Sequence, residues 1–131
     1  MAGFVPFVIE IPWREPEDAF RSLARERWLT FLDSARPDGD DGRYSFLAAD
    51  PYRVLTVKDG KTYRDGKPVE ESFFDLLKAE LNRFKLQTVE GVPPFQGGAA
   101  GYFGYELGTV LERVPRAGTD DMGAPDAAIG L

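Results

Sequence analysis

Cysteine and histidine are both absent from this 131-residue chain. Without cysteine there is no disulfide, no thiol nucleophile and no thiolate metal site. Without histidine the Ser-His-Asp arrangement and most catalytic zinc sites are closed off, so acid–base chemistry falls to Asp, Glu, Lys or Tyr. Positive charge is scarce as well: 16 Lys and Arg against 22 Asp and Glu leave a net charge of −6. No Lys/Arg cluster supplies the basic face that a nucleic-acid binder needs. No apolar run approaches the roughly 20 residues of a membrane helix. The opening MAGFVPFVIE has no basic start, and Glu10 interrupts it early, so it does not read as a secretory signal. A cytoplasmic setting fits, with neither nucleic acid nor membrane as partner. The length suits one domain, and 43% hydrophobic residues suffice for a core.

Alternation and helical spacing divide the chain. Residues 4–11 read as a strand with Val5, Phe7, Ile9 and Ile11 on one face, and Phe4 and Val8 on the other suggest burial on both sides. Pro16 suits the first position of a short helix, with Glu17 and Asp18 in its first turn and Ala19, Phe20, Leu23 and Ala24 as its apolar stripe. Residues 28–32 form a second strand, 33–42 an Asp/Gly/Pro-rich loop and 44–49 a third strand. Residues 53–58 form a fourth. Asp59-Gly60 and Asp65-Gly66 are hairpin turns, which makes 53–69 a small meander whose last strand, 67–69, is an edge. Ser72 caps a helix running to about Phe84, with Phe73, Leu77, Leu81 and Phe84 at helical spacing. Residues 87–93 are a linker and 116–125 a loop. Residues 127–131 read as the start of another strand, so we expect a fragment of something longer. The fold class is α+β, mostly antiparallel sheet with packed helices.

The most unusual stretch is PFQGGAAGYFGYELG, residues 94–108, with five glycines among Phe95, Tyr102, Phe103 and Tyr105. Glycine weakens regular structure while the rings demand burial. That combination predicts a buried strand near 99–105 where another backbone or a ligand approaches closely. A helix carrying Leu107, Val110 and Leu111 on one side should follow. No Gly-Lys-Ser/Thr follows the glycines and the G-x-G-x-x-G order is missing, so close packing is the better reading than a phosphate cradle.

Three constellations invite chemistry. Asp38, Asp40 and Asp41 with Gly39 and Gly42 suggest calcium, but counting from Asp38 the fifth position is Gly42 and the twelfth Ala49, so the EF-hand spacing fails. Glu106 and Glu112, six apart, do not share a helix face. The third is Ser34 with the run from Arg43 to Phe46. If the strands on either side of the 33–42 loop pair, a hydroxyl, a cation and two rings meet at the loop mouth. Either this is an amino-acid pocket, with Tyr44 and Phe46 sandwiching a ring, or a turn serine beside two core aromatics.

The glycine-rich stretch with the following Glu112-Arg113-Val114-Pro115 resembles the N-terminal region of aminodeoxychorismate synthase component I, a family akin to anthranilate synthase component I. Pro12-Trp13-Arg14, Phe31-Leu32-Asp33-Ser34, the run from Gly42 to Phe46 and the closing PDAAIGL agree in order, so the resemblance spans nearly the whole chain. It implies the N-terminal part of the two-sheet chorismate-utilising enzyme fold. It implies a parent that aminates chorismate with ammonia and magnesium towards p-aminobenzoate and folate, with a glutamine amidotransferase partner and a C-terminal chorismate-binding domain. Catalytic and magnesium residues would lie in that C-terminal part, leaving none here. By motif match Leu32, Ser34, Arg43, Tyr44 and Phe46 would line a tryptophan pocket, although Asp33 stands where feedback-regulated members carry glutamate. The alternatives are anthranilate synthase component I with its feedback site, and an autonomous small-molecule binding module. Self-association through exposed apolar edges is a further expectation.

Overall fold

The computed structural model describes residues 3–34, 36, 38–113, 115 and 118–131, with the side chain of Asp41 set aside. The chain forms two compact units: Met1–Pro51 with Phe84–Gly98, and Tyr52–Arg83 with Ala99–Leu131.

In the first unit, α1 spans Pro16–Leu23, with Pro16 at its start and Glu17 and Asp18 in the first turn, where carboxylates oppose the helix dipole. Strands β1 (Thr30–Leu32) and β2 (Phe46–Ala48) pair antiparallel, with Leu32 opposite Phe46. This is the pairing expected across the 33–42 loop, with shorter strands. The Phe20 ring of α1 stacks on Phe31 of β1, centroids 5.2 Å apart. The predicted strand over residues 4–11 does not form among the described residues. Phe4 makes one parallel bridge to Leu86 and sets its ring edge-on to Phe84, and the residues after it pair with no ladder. Phe7 is 89% exposed. Alternation selects a face for each side chain but supplies no neighbouring strand. At the other end of this unit, the Gln96 side chain clasps Val89 at both backbone atoms, 2.9 and 3.0 Å, and closes the 89–96 loop. Phe95 then meets Phe46 edge-on at 5.9 Å.

The second unit is a five-stranded antiparallel sheet in the order β5-β4-β3-β7-β6, with β3 at Val54–Lys58, β4 at Lys61–Arg64, β5 at Lys67–Val69, β6 at Ala100–Phe103 and β7 at Ala127–Gly130. Both Asp-Gly pairs make the expected hairpins: Asp59, Gly60, Asp65 and Gly66 all have φ between 49° and 77°. Positive φ at both central residues is the type I′ turn that matches strand twist. Helix α2 (Phe73–Arg83) opens on Ser72, whose Oγ accepts from the Asp75 N–H and donates to the Asp75 carboxylate. The serine caps one backbone N–H of the first turn and is itself oriented by the Asp75 carboxylate. Its inner face is displaced from the predicted stripe. Phe73, Leu76 and Glu80 are buried, while Leu81 and Phe84 are more than a third exposed. The core joins Leu55, Val57, Phe73, Leu76, Leu107, Ala127 and Ile129. All the buried apolar residues described belong to this unit.

Two expectations about the glycine-rich stretch need correction. Its strand, β6, is not buried but lies on the sheet edge, with Tyr102 45% and Phe103 57% exposed. The helix after it is a 3-10 turn at Tyr105–Leu107 and one α-turn, α3, at Gly108–Leu111. Leu107 is buried and Leu111 exposed. The close approach is present: a Cβ on Gly101 would lie 2.0 Å from the Ala128 carbonyl oxygen, and one on Gly104 2.8 Å from that of Asp126. The approaching backbone is β7 and the residue just before it. Gly98 differs, since its φ of +124° requires glycine while an added Cβ would meet only the Phe95 ring, at an ordinary 3.9 Å. Val114 and Arg116, in the motif and loop read after α3, lie outside the described residues.

Candidate functional site

Antiparallel register carries the β1–β2 pairing one step past its last ladder pair, so that Asp33 faces Ser45, whose Oγ donates to the Asp33 carboxylate at 2.6 Å. Beyond this link the two strands diverge around a shallow depression of about 470 Å³. Its walls are the side chains of Phe31, Leu32, Tyr44 and Phe46, and its polar groups are Asp33, Ser34 and Asp40. Four of the five residues proposed from sequence, Leu32, Ser34, Tyr44 and Phe46, therefore line one hollow. Arg43 does not. Its guanidinium sits 5.3 Å from the centre of the Tyr44 ring, a cation–π arrangement.

The rings do not form a sandwich. Tyr44 and Phe46 are 6.0 Å apart at 37°, already a packed aromatic pair, whereas an inserted ring needs about 7 Å for two van der Waals gaps. Phe46 is also held by Phe95. A planar ligand would lie against this pair rather than between its members. Asp40, in the 3-10 turn Asp40–Gly42, enters the sequence reading only in the rejected calcium pattern and not as a residue of this pocket. Its place on the wall follows from how the loop folds back, which no local signal encodes.

A second depression, about 500 Å³, includes Asp59, Glu106, Asp120, Asp121 and Asp126 among its lining residues. Its carboxylates are partly engaged. Asp126 accepts from the Asp59 N–H at 3.0 Å, and Asp120 pairs with Lys58. The Lys58 hydrogen bond, followed by the Gly123 N–H, holds Asp120 below the usual carboxylate range. Among the described residues no three acidic side chains converge to hold a metal ion. The buried carboxylate of Glu80 is structural: it accepts from Arg53 Nε at 3.1 Å and from the Tyr52 hydroxyl at 3.2 Å. The positions a Cβ would take at Gly101 and Gly104 are filled by the backbone of Ala128 and Asp126. No described helix is long and apolar enough to cross a membrane.

No family model matches the chain. Relatives do. Anthranilate synthase component 1 of Mycolicibacterium smegmatis is 37% identical over 122 residues, covering 88% of this chain and 23% of that protein. Aminodeoxychorismate synthase component 1 of Klebsiella aerogenes is 33% identical over 135 residues, covering 96% of this chain and 30% of that protein. Among solved structures, anthranilate synthase component I of Streptococcus pneumoniae superposes with a TM-score of 0.57 at 26% identity, over 74% of this chain and 22% of that one. The chain thus spans about a quarter of the length of the proteins it matches, and the α+β architecture and the family resemblance both stand.

Proposed function

We propose that this chain, a relative of the component I proteins of two chorismate-aminating synthases, is the N-terminal segment of an aminodeoxychorismate synthase component I. The observation that supports this reading is the extent of the match, 96% to 100% of the chain against aminodeoxychorismate synthases and 85% to 95% against anthranilate synthases. In this reading the parent replaces the chorismate hydroxyl with an amino group. Ammonia would come from a glutamine amidotransferase, and magnesium would be held by residues elsewhere in the parent. The chain itself contributes scaffold and one wall of a tryptophan-type pocket, with Leu32, Ser34, Tyr44 and Phe46 at the hollow and Arg43 over the Tyr44 ring. The higher identity, 37%, favours a second reading as the corresponding segment of an anthranilate synthase.

Grafting distinguishes the two. The chain replaces the matching segment of the Klebsiella aerogenes enzyme and, in parallel, that of the Mycolicibacterium smegmatis enzyme, and each hybrid is assayed with chorismate, ammonia and magnesium. The first reading expects the larger retained activity in the Klebsiella hybrid, and the reverse order favours the second. Loss in both overturns both. The chain alone should give no aminated product, because its described carboxylates do not gather into a metal site.

A further inference from the structure

The two edges of the five-stranded sheet are built differently. At the β5 edge, Arg64 and Lys67 flank the two-residue Asp65-Gly66 turn and are the hydrogen-bonded pair that closes the hairpin. The next pair, Tyr63 and Pro68, therefore turns the Pro68 main chain outward, where proline has no N–H to offer. Lys67 adds a charge to the same three-residue strand. At the β6 edge, the Gly104 N–H bonds the Asp126 carbonyl at 2.7 Å, which fixes the phase of the ladder. Residues 100, 102 and 104 turn their main-chain groups towards β7, and Gly101 and Phe103 turn theirs outward. No hydrogen bond to those outward groups occurs among the described residues. Residues 99–105 carry neither charge nor proline. The open Phe103 ring stacks on Phe74 of α2, itself 36% exposed, so an apolar patch runs along this edge.

We propose that β6 pairs antiparallel with β6 of a second copy of this chain, about a two-fold axis at Tyr102. Self-complementarity identifies the occupant. Setting Tyr102 opposite its own counterpart places Gly101 opposite Phe103 and Phe103 opposite Gly101. These are the two residues whose main-chain groups face out, so four hydrogen bonds close the pairing. Phe103 lies on the α2 face, beside Phe73 and Phe74, and there each ring crosses a Gly101 with no side chain in its way. An aromatic across from glycine offsets the weakness of glycine in a strand. No like charges meet across the axis, which matters for a chain of net charge −6. Tyr102, Phe103 and Phe74 each have about 100 Å² to cover, so the two copies bury about 700 Å² together. That is below the roughly 1,200 Å² of stable interfaces, and the dimer is reversible. The self-association expected from exposed apolar edges thereby gains a strand and a register, independently of which synthase the chain belongs to.

The test is sedimentation of the intact chain from about 10 μM to about 1 mM, the range of a weak interface. The mass should pass from one chain to two as concentration rises. Tyr102→Lys sets like charges directly across the axis and should raise the dissociation constant at least about tenfold, with an unchanged circular dichroism spectrum showing that the fold is retained. Cross-linking reads the register. The chain has no cysteine, so Tyr102→Cys reports a single contact. Opposed residues of a non-hydrogen-bonded pair have Cα atoms about 4.5 Å apart, within disulfide reach. Mild oxidation of Tyr102→Cys should give a covalent dimer, and Lys67→Cys, on the blunted edge, should not. A one-chain mass throughout overturns the proposal and assigns the open edge to another occupant, such as further polypeptide of the parent. Indifference of the dimer to Tyr102→Lys, or cross-linking of Lys67→Cys as fast as of Tyr102→Cys, overturns it as well. The grafting result is independent of every one of these outcomes.

Discussion

Residues 4–11 and β3 carry much the same alternation of apolar side chains, yet Phe7 is 89% exposed and Leu55 is wholly buried. The difference lies in the neighbours. Strand β3 has β4 on one side and β7 on the other, and Phe73 and Leu76 of α2 pack with its inward residues. After Phe4, residues 5–11 have no ladder partner among those described. The same contrast runs through the two units: one is organised around aromatic pairs and turn clasps, the other around a closed apolar cluster. An alternating stretch is stabilised in proportion to what covers it and not to its own hydrophobicity.

Truncation on both sides tests this most severely. Leu55→Ala should lower stability by about 2–5 kcal/mol, since it opens a cavity in the filled core. Phe7→Ala should change it by less than about 0.5 kcal/mol. Urea denaturation of the two variants measures both, and a comparable loss at Phe7 would mean that residues 4–11 are covered in solution.

The glycines sharpen the same comparison. Gly101→Val places a side chain into the β7 backbone and should cost about 3 kcal/mol. Gly98→Ala meets the Phe95 ring only at ordinary contact distance, so its cost is backbone strain, about 1–2 kcal/mol. Equal shifts in melting temperature would show that crowding by β7 is not what Gly101 serves.

The helix starts form a third pair. Ser72→Ala removes a cap that satisfies the Asp75 N–H and should cost about 1 kcal/mol. At α1 the Glu15 side chain makes no capping bond, so Glu15→Ala should be close to neutral. Thermal melts of the two variants give the difference directly.

The smallest effect concerns acid. The Val54 N–H first, and Arg53 second, hold Asp65 below the ordinary carboxylate range. A lowered folded value means that its stabilisation is complete above the unfolded carboxylate range, near pH 4, and is lost as pH falls through the folded value. Because the side chain is nearly half exposed, solvent screening limits the effect to about 0.5–1 kcal/mol. Asp65→Asn should therefore be slightly less stable at pH 7 and lose less on acidification. Asp50→Asn, which removes an exposed ion pair with Arg27, should scarcely matter. Melting curves between pH 7 and pH 3 compare the two, and parallel acid profiles for Asp65→Asn and the parent chain would exclude Asp65 as the titrating group.

Features confined to a few consecutive residues were legible in the sequence: the two Asp-Gly hairpins, the Ser72 cap, Pro16 at the head of α1, and the pairing of strands across the 33–42 loop that brings Leu32, Ser34, Tyr44 and Phe46 to one hollow. Each rests on backbone preferences or short loop closure, which act over a handful of bonds. Tertiary structure alone decided which strands became neighbours. Strand β7 stands between β3 and β6, while the glycine-rich β6 became the edge and residues 4–11 gained no strand partner beyond the Phe4 bridge among the described residues. It also brought Asp40 to the wall of the hollow and turned Arg43 onto the Tyr44 ring. Alternation specifies which face a side chain takes but not which strand lies alongside, and that choice depends on burying the whole sheet at once.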